Sequence, residues 1–165
     1  MKDFLVIGEL YTKKPTIQTV WAAVEAHLGG ADGITVHLRE DRRHIQLFDV
    51  ERLRDLTQIK LNLEMAATDE MVAIALDIRP EMAMLVPEGR QEITTEGGLD
   101  LIANASVVQS AVDRLKSKGI TVSAFLDADM NQIRHAHAMG IEVCEIHTGP
   151  YAEVFYQQGD RKSVV

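Results

Sequence analysis

Three residues in this chain carry more chemistry than their surroundings require. His37 ends the run GITVH, Glu64 lies inside IKLNLEMA, and Glu145 lies inside IEVCEIHT, each an apolar stretch rich in strand-forming residues. An imidazole and two carboxylates at such positions can move protons. Histidine exchanges them near neutral pH, and a carboxyl group withdrawn from water holds its proton longer than a solvated one. Each also has a purely structural use. A histidine among apolar residues can be a core residue bonded to a backbone carbonyl, and Glu64 can be half of a buried ion pair with an arginine such as Arg39. Arg39 stands two residues after His37 on the same strand face, where a guanidinium favours the neutral imidazole of a general base.

Two polar segments add groups that can hold a ligand. After the strand ending at His37 comes REDRRH (39–44), in which Arg39 and His44 are suited to a phosphorylated substrate. Glu40, Asp41, Arg42 and Arg43 are expected to serve loop structure, subunit contacts or solvent. PEGRQEITTEGGLD (87–100) is either a plain surface turn or a loop whose Thr94, Thr95 and backbone N–H groups hold a substrate oxygen. Glu145 and His147 share a strand face. Together with His37 and Glu64 they make a conceivable ligand set, but they lie on separate strands without a local spacing signature, so no metal is expected. His135 and His137 are two apart in a helical stretch and do not face each other, which makes both surface residues. Cys144 is the sole cysteine, excludes a disulfide within the chain, and reads as a buried thiol.

The elements that must position these groups alternate along the chain. Apolar runs at 4–8, 33–38, 59–66, 82–87, 120–128 and 141–148 read as strands whose continuous hydrophobicity suits burial on both faces. Between them, helical spacing marks 19–28, 49–56, 68–78, 101–119 and 129–140, with caps at Asp49 and Thr68 and glycine stops at Gly29, Gly119 and Gly140. Strand–helix alternation of this kind gives a parallel sheet with right-handed crossovers. A doubly wound dinucleotide fold would carry G-x-G-x-x-G after an early strand, and none is present. Polar residues at the C-terminal ends of several strands instead favour a (β/α)8 TIM barrel, here reduced to about six β/α units.

Composition agrees with one globular α/β domain. The 165 residues are 46% hydrophobic and 25% charged, enough for one core. A net charge of −8 argues against a nucleic-acid partner, whose phosphates require a basic surface. The N-terminal apolar stretch is too short and too charged for a secretory signal or a membrane span, so a cytoplasmic protein without membrane contact is expected.

Four segments, GADGITVHLREDRRHI, LNLEMA, LVPE-x-RQE-x-TTEGGLD and EIHTG-x-YA, together resemble pyridoxine 5′-phosphate synthase of the deoxyxylulose-dependent vitamin B6 route, in collinear order from about Val20 to Ala152. The resemblance implies a TIM barrel assembled as a homo-octamer, with no metal or organic cofactor. It further implies condensation of 1-deoxy-D-xylulose 5-phosphate with 3-amino-2-oxopropyl phosphate to pyridoxine 5′-phosphate, with release of phosphate and water. Imine formation, dehydration, enolisation and ring closure each move protons, so such a reaction needs several acid/base groups in one pocket. On the same resemblance His37 is the acid/base histidine, Glu64 the general base and Glu145 a transition-state stabiliser. Arg39, His44 and Thr94 are contacts to the deoxyxylulose phosphate.

Two departures accompany the resemblance. The family's Asn-x-Asp-His motif on the first strand, and its following Ala-Arg-Gly element, have no counterpart in VIGELYTKKPTIQ. The later strands, which carry a further catalytic histidine and a Gly-His phosphate element, are also without counterpart. The chain therefore reads as a fragment, expected to be poorly active alone and to self-associate through unpaired strand edges. Residues 159–165 (GDRKSVV) read as a non-native tail, because DRKSVV back-translates into a common sequencing adapter running into a stop codon. A non-catalytic partial barrel is the alternative reading. Another phosphosugar barrel enzyme, such as an aldolase or epimerase, is disfavoured because no lysine stands at a strand end to form a Schiff base.

Overall fold

The computed structural model describes residues 4–6, 15–56, 59–88 and 97–158. Strands and helices alternate throughout: β1 (Phe4–Val6), α1 (Pro15–Leu28), β2 (Gly33–His37), α2 (Leu47–Leu56), β3 (Lys60–Met65), α3 (Asp69–Ile78), β4 (Met82–Leu85), α4 (Ala105–Lys116), β5 (Thr121–Leu126), α5 (Met130–Ala138), β6 (Val143–Ile146) and α6 (Gly149–Gln158). The six strands are all parallel and stand in the order β1-β2-β3-β4-β5-β6. A doubly wound sheet reverses its strand order at a switch point. Unbroken sequential order is the arc of a β/α barrel, as the sequence suggested.

Local chemistry explains most of the boundaries. Thr68 caps α3 by accepting the Met71 N–H, and Asp129 caps α5 by accepting that of Asn131. α4 starts four residues later than its apolar pattern suggests. Asp100 takes the N–H groups of Ile102 and Ala103 at 3.0 Å each, holding residues 101–104 in turns. α1 begins at Pro15 rather than Thr19, with proline in the first turn, where its missing N–H costs nothing. α6 is a helix that the sequence reading did not place, and it too has a proline, Pro150, in its first turn.

The strands are less uniform than their composition suggests. Ile34, Val36, Leu61, Leu63, Met65, Ala83, Leu85, Val122, Ala124 and Leu126 form one apolar core with Val50, Leu53, Met71, Val72, Val108, Val112 and Leu115 of the helices. The alternate residues point to the opposite face and include Thr35, His37, Asn62, Glu64, Ser123 and Glu145. Asn62 donates to the Thr35 hydroxyl at 3.2 Å within that second face, one step below the His37–Glu64 pair. Burial on both faces thus conceals a difference between an apolar layer against helices and a second face on which polar groups are interspersed with Met84 and Phe125.

Cys144 corrects the sequence reading: it is exposed. Apolar neighbours suggested burial, but all four residues of β6 are exposed, and among the described residues only β5 pairs with that strand. Partial burial still pushes the thiol's pKa up.

The N-terminal ends of the strands share a repeated fastening. Glu81, just before β4, accepts the Leu61 N–H at 2.8 Å, and Glu142, just before β6, accepts the Val122 N–H at 3.0 Å. Arg54 bonds both oxygens of Glu81 at 2.8 and 2.9 Å, and Lys116 lies 3.1 Å from Glu142. Burial works to raise the pKa of Glu81, but the bonds from Leu61 and Arg54 outweigh it and the net shift is downward. Its stabilising contribution is therefore complete above the ordinary value of 4.5 and is lost as pH falls through the lower folded-state value. With the side chain 39% exposed and the pair screened by solvent, Glu81→Ala is expected to cost only ~1 kcal/mol at neutral pH. Urea unfolding should show that difference at pH 7 and its disappearance in acid; an equal loss at both would assign the effect to packing.

Candidate active site

The polar face of the sheet opens into a small cleft of about 140 Å³ lined by His37, Glu64, Met84, Val86, Phe125 and Glu145. Each of these stands at or near the C-terminal end of its strand, and register brings them level: His37 pairs with Glu64, Glu64 with Met84, and Phe125 with Glu145. Three acid/base residues far apart in sequence are thereby gathered around one space.

His37 is held between two carboxylates. Its Nδ1 lies 3.7 Å from Glu64 Oε2, and its Nε2 lies 2.7 Å from Glu88 Oε1. The other oxygen of Glu88 accepts the backbone N–H of Glu40 at 2.8 Å. His37 is thus bonded to a carboxylate rather than to a backbone carbonyl. Burial raises the pKa of Glu64; the positive field of protonated His37 opposes that rise, and the negative field of Glu145 adds to it. The sequence proposed Arg39 as a partner for Glu64, whereas the structure sets the His37 ring against it, 3.7 Å away.

The charged loop after β2 is held together by ion pairs that include Arg39. Arg39 Nε lies 3.4 Å from Asp41 Oδ1, and Asp41 also takes Arg43 Nε at 2.7 Å. The Arg43 hydrogen bond is the main reason that the Asp41 carboxyl is lowered from 3.8 to about 2. Arg42, in the left-handed region at φ 52, reaches Glu70 at 2.8 Å and donates to the Arg39 carbonyl. Asp41, Arg42 and Arg43 therefore build the loop. Arg39 and the half-buried His44 sit on that frame, and Thr94 and Thr95 lie outside the described residues.

Residues 11–165 match the family model of the pyridoxal phosphate biosynthesis protein PdxJ. The chain belongs to that family. It is 68% identical over 140 residues to the pyridoxine 5′-phosphate synthase of Dechloromonas aromatica (strain RCB), covering 85% of this chain and 56% of that protein. The synthase of Azoarcus sp. (strain BH72) is 68% identical over 139 residues, covering 84% and 56%. That of Microcystis aeruginosa (strain NIES-843 / IAM M-2473) is 56% identical over 146 residues, covering 88% and 60%. The chain thus spans somewhat more than half the length of the curated relatives it matches. Among solved structures, a mandelate oxidase variant superposes with a TM-score of 0.67 at 13% identity, over 98% of this chain and 55% of the other. N-acetylmannosamine-6-phosphate 2-epimerase from Clostridium perfringens superposes at 0.59 and 17% identity, over 86% and 59%. At such identities the likeness concerns the fold alone.

In this PdxJ-family chain the structure also separates residues that the sequence grouped. His147 does not line the cleft with Glu145. Its Nδ1 lies 3.1 Å from Asp127 Oδ1 and its ring packs on Phe125 with centroids 5.4 Å apart. His135 and His137 are exposed on α5, as expected, with His135 bonded to the Asn131 carbonyl at 2.8 Å. Among the described residues no group of three or more histidine, cysteine or acidic side chains has the geometry to hold a metal, and no helix is long and apolar enough to cross a membrane. Glu88 and Asp127 were missed in sequence. The signal for Glu88 was its place directly after Pro87 at the end of a strand, where barrels put functional groups.

Proposed function

We propose that this chain carries the acid/base part of a pyridoxine 5′-phosphate synthase site. The reaction is the condensation and ring closure of 1-deoxy-D-xylulose 5-phosphate with 3-amino-2-oxopropyl phosphate, yielding pyridoxine 5′-phosphate and phosphate. The observation that carries this reading is the convergence of His37, Glu64 and Glu145 on one cleft at the strand C-termini of a PdxJ-family chain. In the proposed roles His37 and Glu64 exchange protons with the condensing substrates, and Glu145 stabilises the positive charge that develops at imine nitrogen. Arg39, His44 and Thr94 are proposed to hold the phosphate and hydroxyl groups of the deoxyxylulose substrate. The protein is proposed to act in the cytoplasm as a homo-oligomer, without a resident cofactor.

The test uses the purified chain and the same sequence joined to the remaining barrel segment of the Dechloromonas aromatica relative. Each is incubated with both phosphorylated substrates and assayed for pyridoxine 5′-phosphate. Product from the joined protein, lost in His37→Ala, supports the reading. No product from it, while the intact relative turns over, overturns it. A second reading, a non-catalytic partial barrel that self-associates, draws on the exposed β6 strand with Val143 and Ile146 open to solvent. Sedimentation of the unjoined chain as a monomer would remove it.

A further inference from the structure

Among the described residues beside His37, Glu88 is the more deeply placed of the two carboxylates. Its side chain is 4% exposed, against 24% for His37 and 19% for Glu64. A carboxylate so placed needs bonds to both oxygens, and it has them: Glu40 N–H on one and His37 Nε2 on the other. Its backbone is constrained as well. Pro87 fixes its own φ and disfavours helical geometry at Val86, whose N–H bonds the Met65 carbonyl at 3.0 Å as an extension of the strand ladder.

We propose that Glu88 is a positioning residue that keeps the proton of neutral His37 on Nε2, so that Nδ1 is the working nitrogen facing Glu64 and the cleft. This deepens the synthase reading and rests on it for its catalytic consequence. Ionised Glu88 only accepts hydrogen bonds, so the ring nitrogen against it carries the proton. Nδ1 is then left with its lone pair toward the cleft, 3.7 Å from Glu64 Oε2. A proton taken from substrate arrives at Nδ1, the imidazolium is stabilised by Glu88, and the same proton can pass on to Glu64 or back to substrate. Glu88 need not touch the substrate to set which nitrogen is basic.

The substitution Glu88→Gln separates this role from packing. Glutamine has one acceptor oxygen where glutamate has two, while the Glu40 N–H and His37 both call for an acceptor. The backbone N–H cannot move its proton and the imidazole can. The amide oxygen therefore goes to Glu40, the amide NH2 faces Nε2, and the ring proton moves to Nδ1. The working nitrogen is then blocked in a side chain of nearly unchanged shape.

The experiment is a long-range 15N–1H correlation spectrum of the histidine rings in the full chain, at a pH high enough to leave the imidazole neutral. His37 is assigned by the signal lost in His37→Asn. The unsubstituted chain is expected to show His37 as the Nε2–H tautomer and Glu88→Gln to show Nδ1–H, with the other five histidines unchanged among the six. An Nδ1–H tautomer in the unsubstituted chain overturns the proposal, even if the variant fails to fold, and an unchanged tautomer in a folded variant overturns it equally. In the joined protein the same substitution should lower kcat by ~10²–10⁴-fold with KM little changed. A tautomer switch in the chain without product from the unsubstituted joined protein would overturn the synthase reading and leave the positioning of His37 standing.

Discussion

In the joined protein Glu64→Gln is expected to lower the proposed formation of pyridoxine 5′-phosphate by ~10²–10⁴-fold, the usual contribution of a positioned acid/base group, while leaving the fold of the chain at least as stable at neutral pH. The two halves of this expectation share one cause. Glu64 lies on the polar face of β3, where burial makes its charged form costly, and attraction to His37 does not fully offset that cost. Its folded-state pKa is therefore raised above the ordinary 4.5. Between those two values the folded protein binds a proton that the unfolded chain has released, so stability falls as pH rises through the window. Above it the penalty is present in full, and below 4.5 it vanishes. Glutamine keeps the shape and never ionises. Urea unfolding of both proteins should show the variant equal or ahead at pH 7, with its advantage gone in acid. Clear destabilisation of the variant at neutral pH would instead make Glu64 a structural ion-pair partner of His37. A stability advantage joined to a loss of turnover is the pattern of a group retained for chemistry.

How far the sequence disclosed this site depends on where each group stands. His37, Glu64 and Glu145 were legible because each interrupts an apolar run, and a charge in such a run needs a reason. Parallel strands followed from the alternation of elements, the barrel's sequential order from polar residues at the strand C-termini, and the loop roles of Asp41, Arg42 and Arg43 from their crowding. Glu88 and Asp127 were not legible in the same way. Both stand where an apolar run gives way to a loop, just beyond the strand ends, and an acidic side chain at such a boundary excites no suspicion. What marks them is a partner 51 residues away for Glu88 and 29 and 20 residues away for Asp127. Cys144 failed in the opposite direction. Its neighbours in sequence are apolar, but burial is decided by neighbours in space, and β6 has a paired strand on one side only among the described residues. Local pattern thus reports what a residue is surrounded by along the chain, and long-range pairing decides what it touches.

The paired glycines Gly97 and Gly98 carry that distinction to its largest structural consequence. In sequence they end a polar loop and look interchangeable. In the structure a Cβ on Gly97 would meet only the Asp127 carboxylate at 3.5 Å, an ordinary contact. A Cβ on Gly98 would lie 2.1 Å from the Asp127 nitrogen and 2.3 Å from the Leu126 carbonyl carbon, which are backbone atoms at the end of a buried strand and cannot turn aside. The approach is that close because Gly98 N–H donates to Asp127 Oδ1 at 2.9 Å and Leu99 N–H donates to the Phe125 carbonyl at 2.7 Å, laying this segment flat across the top of β5. Gly98→Ala must break both bonds or displace the strand end, and is expected to cost ~2–4 kcal/mol, at or beyond the upper range for overpacking. Gly97→Ala should stay within about 1 kcal/mol of the unsubstituted chain. Unfolding midpoints of the two variants, measured side by side, decide the matter: equal losses would mean that conformational freedom, not space, selected these glycines. The damage should also reach the cleft, since Phe125, whose carbonyl holds Leu99, lines it together with His37 and Glu64. In the joined protein Gly98→Ala should therefore lose turnover even at temperatures where it remains folded, and Gly97→Ala should not.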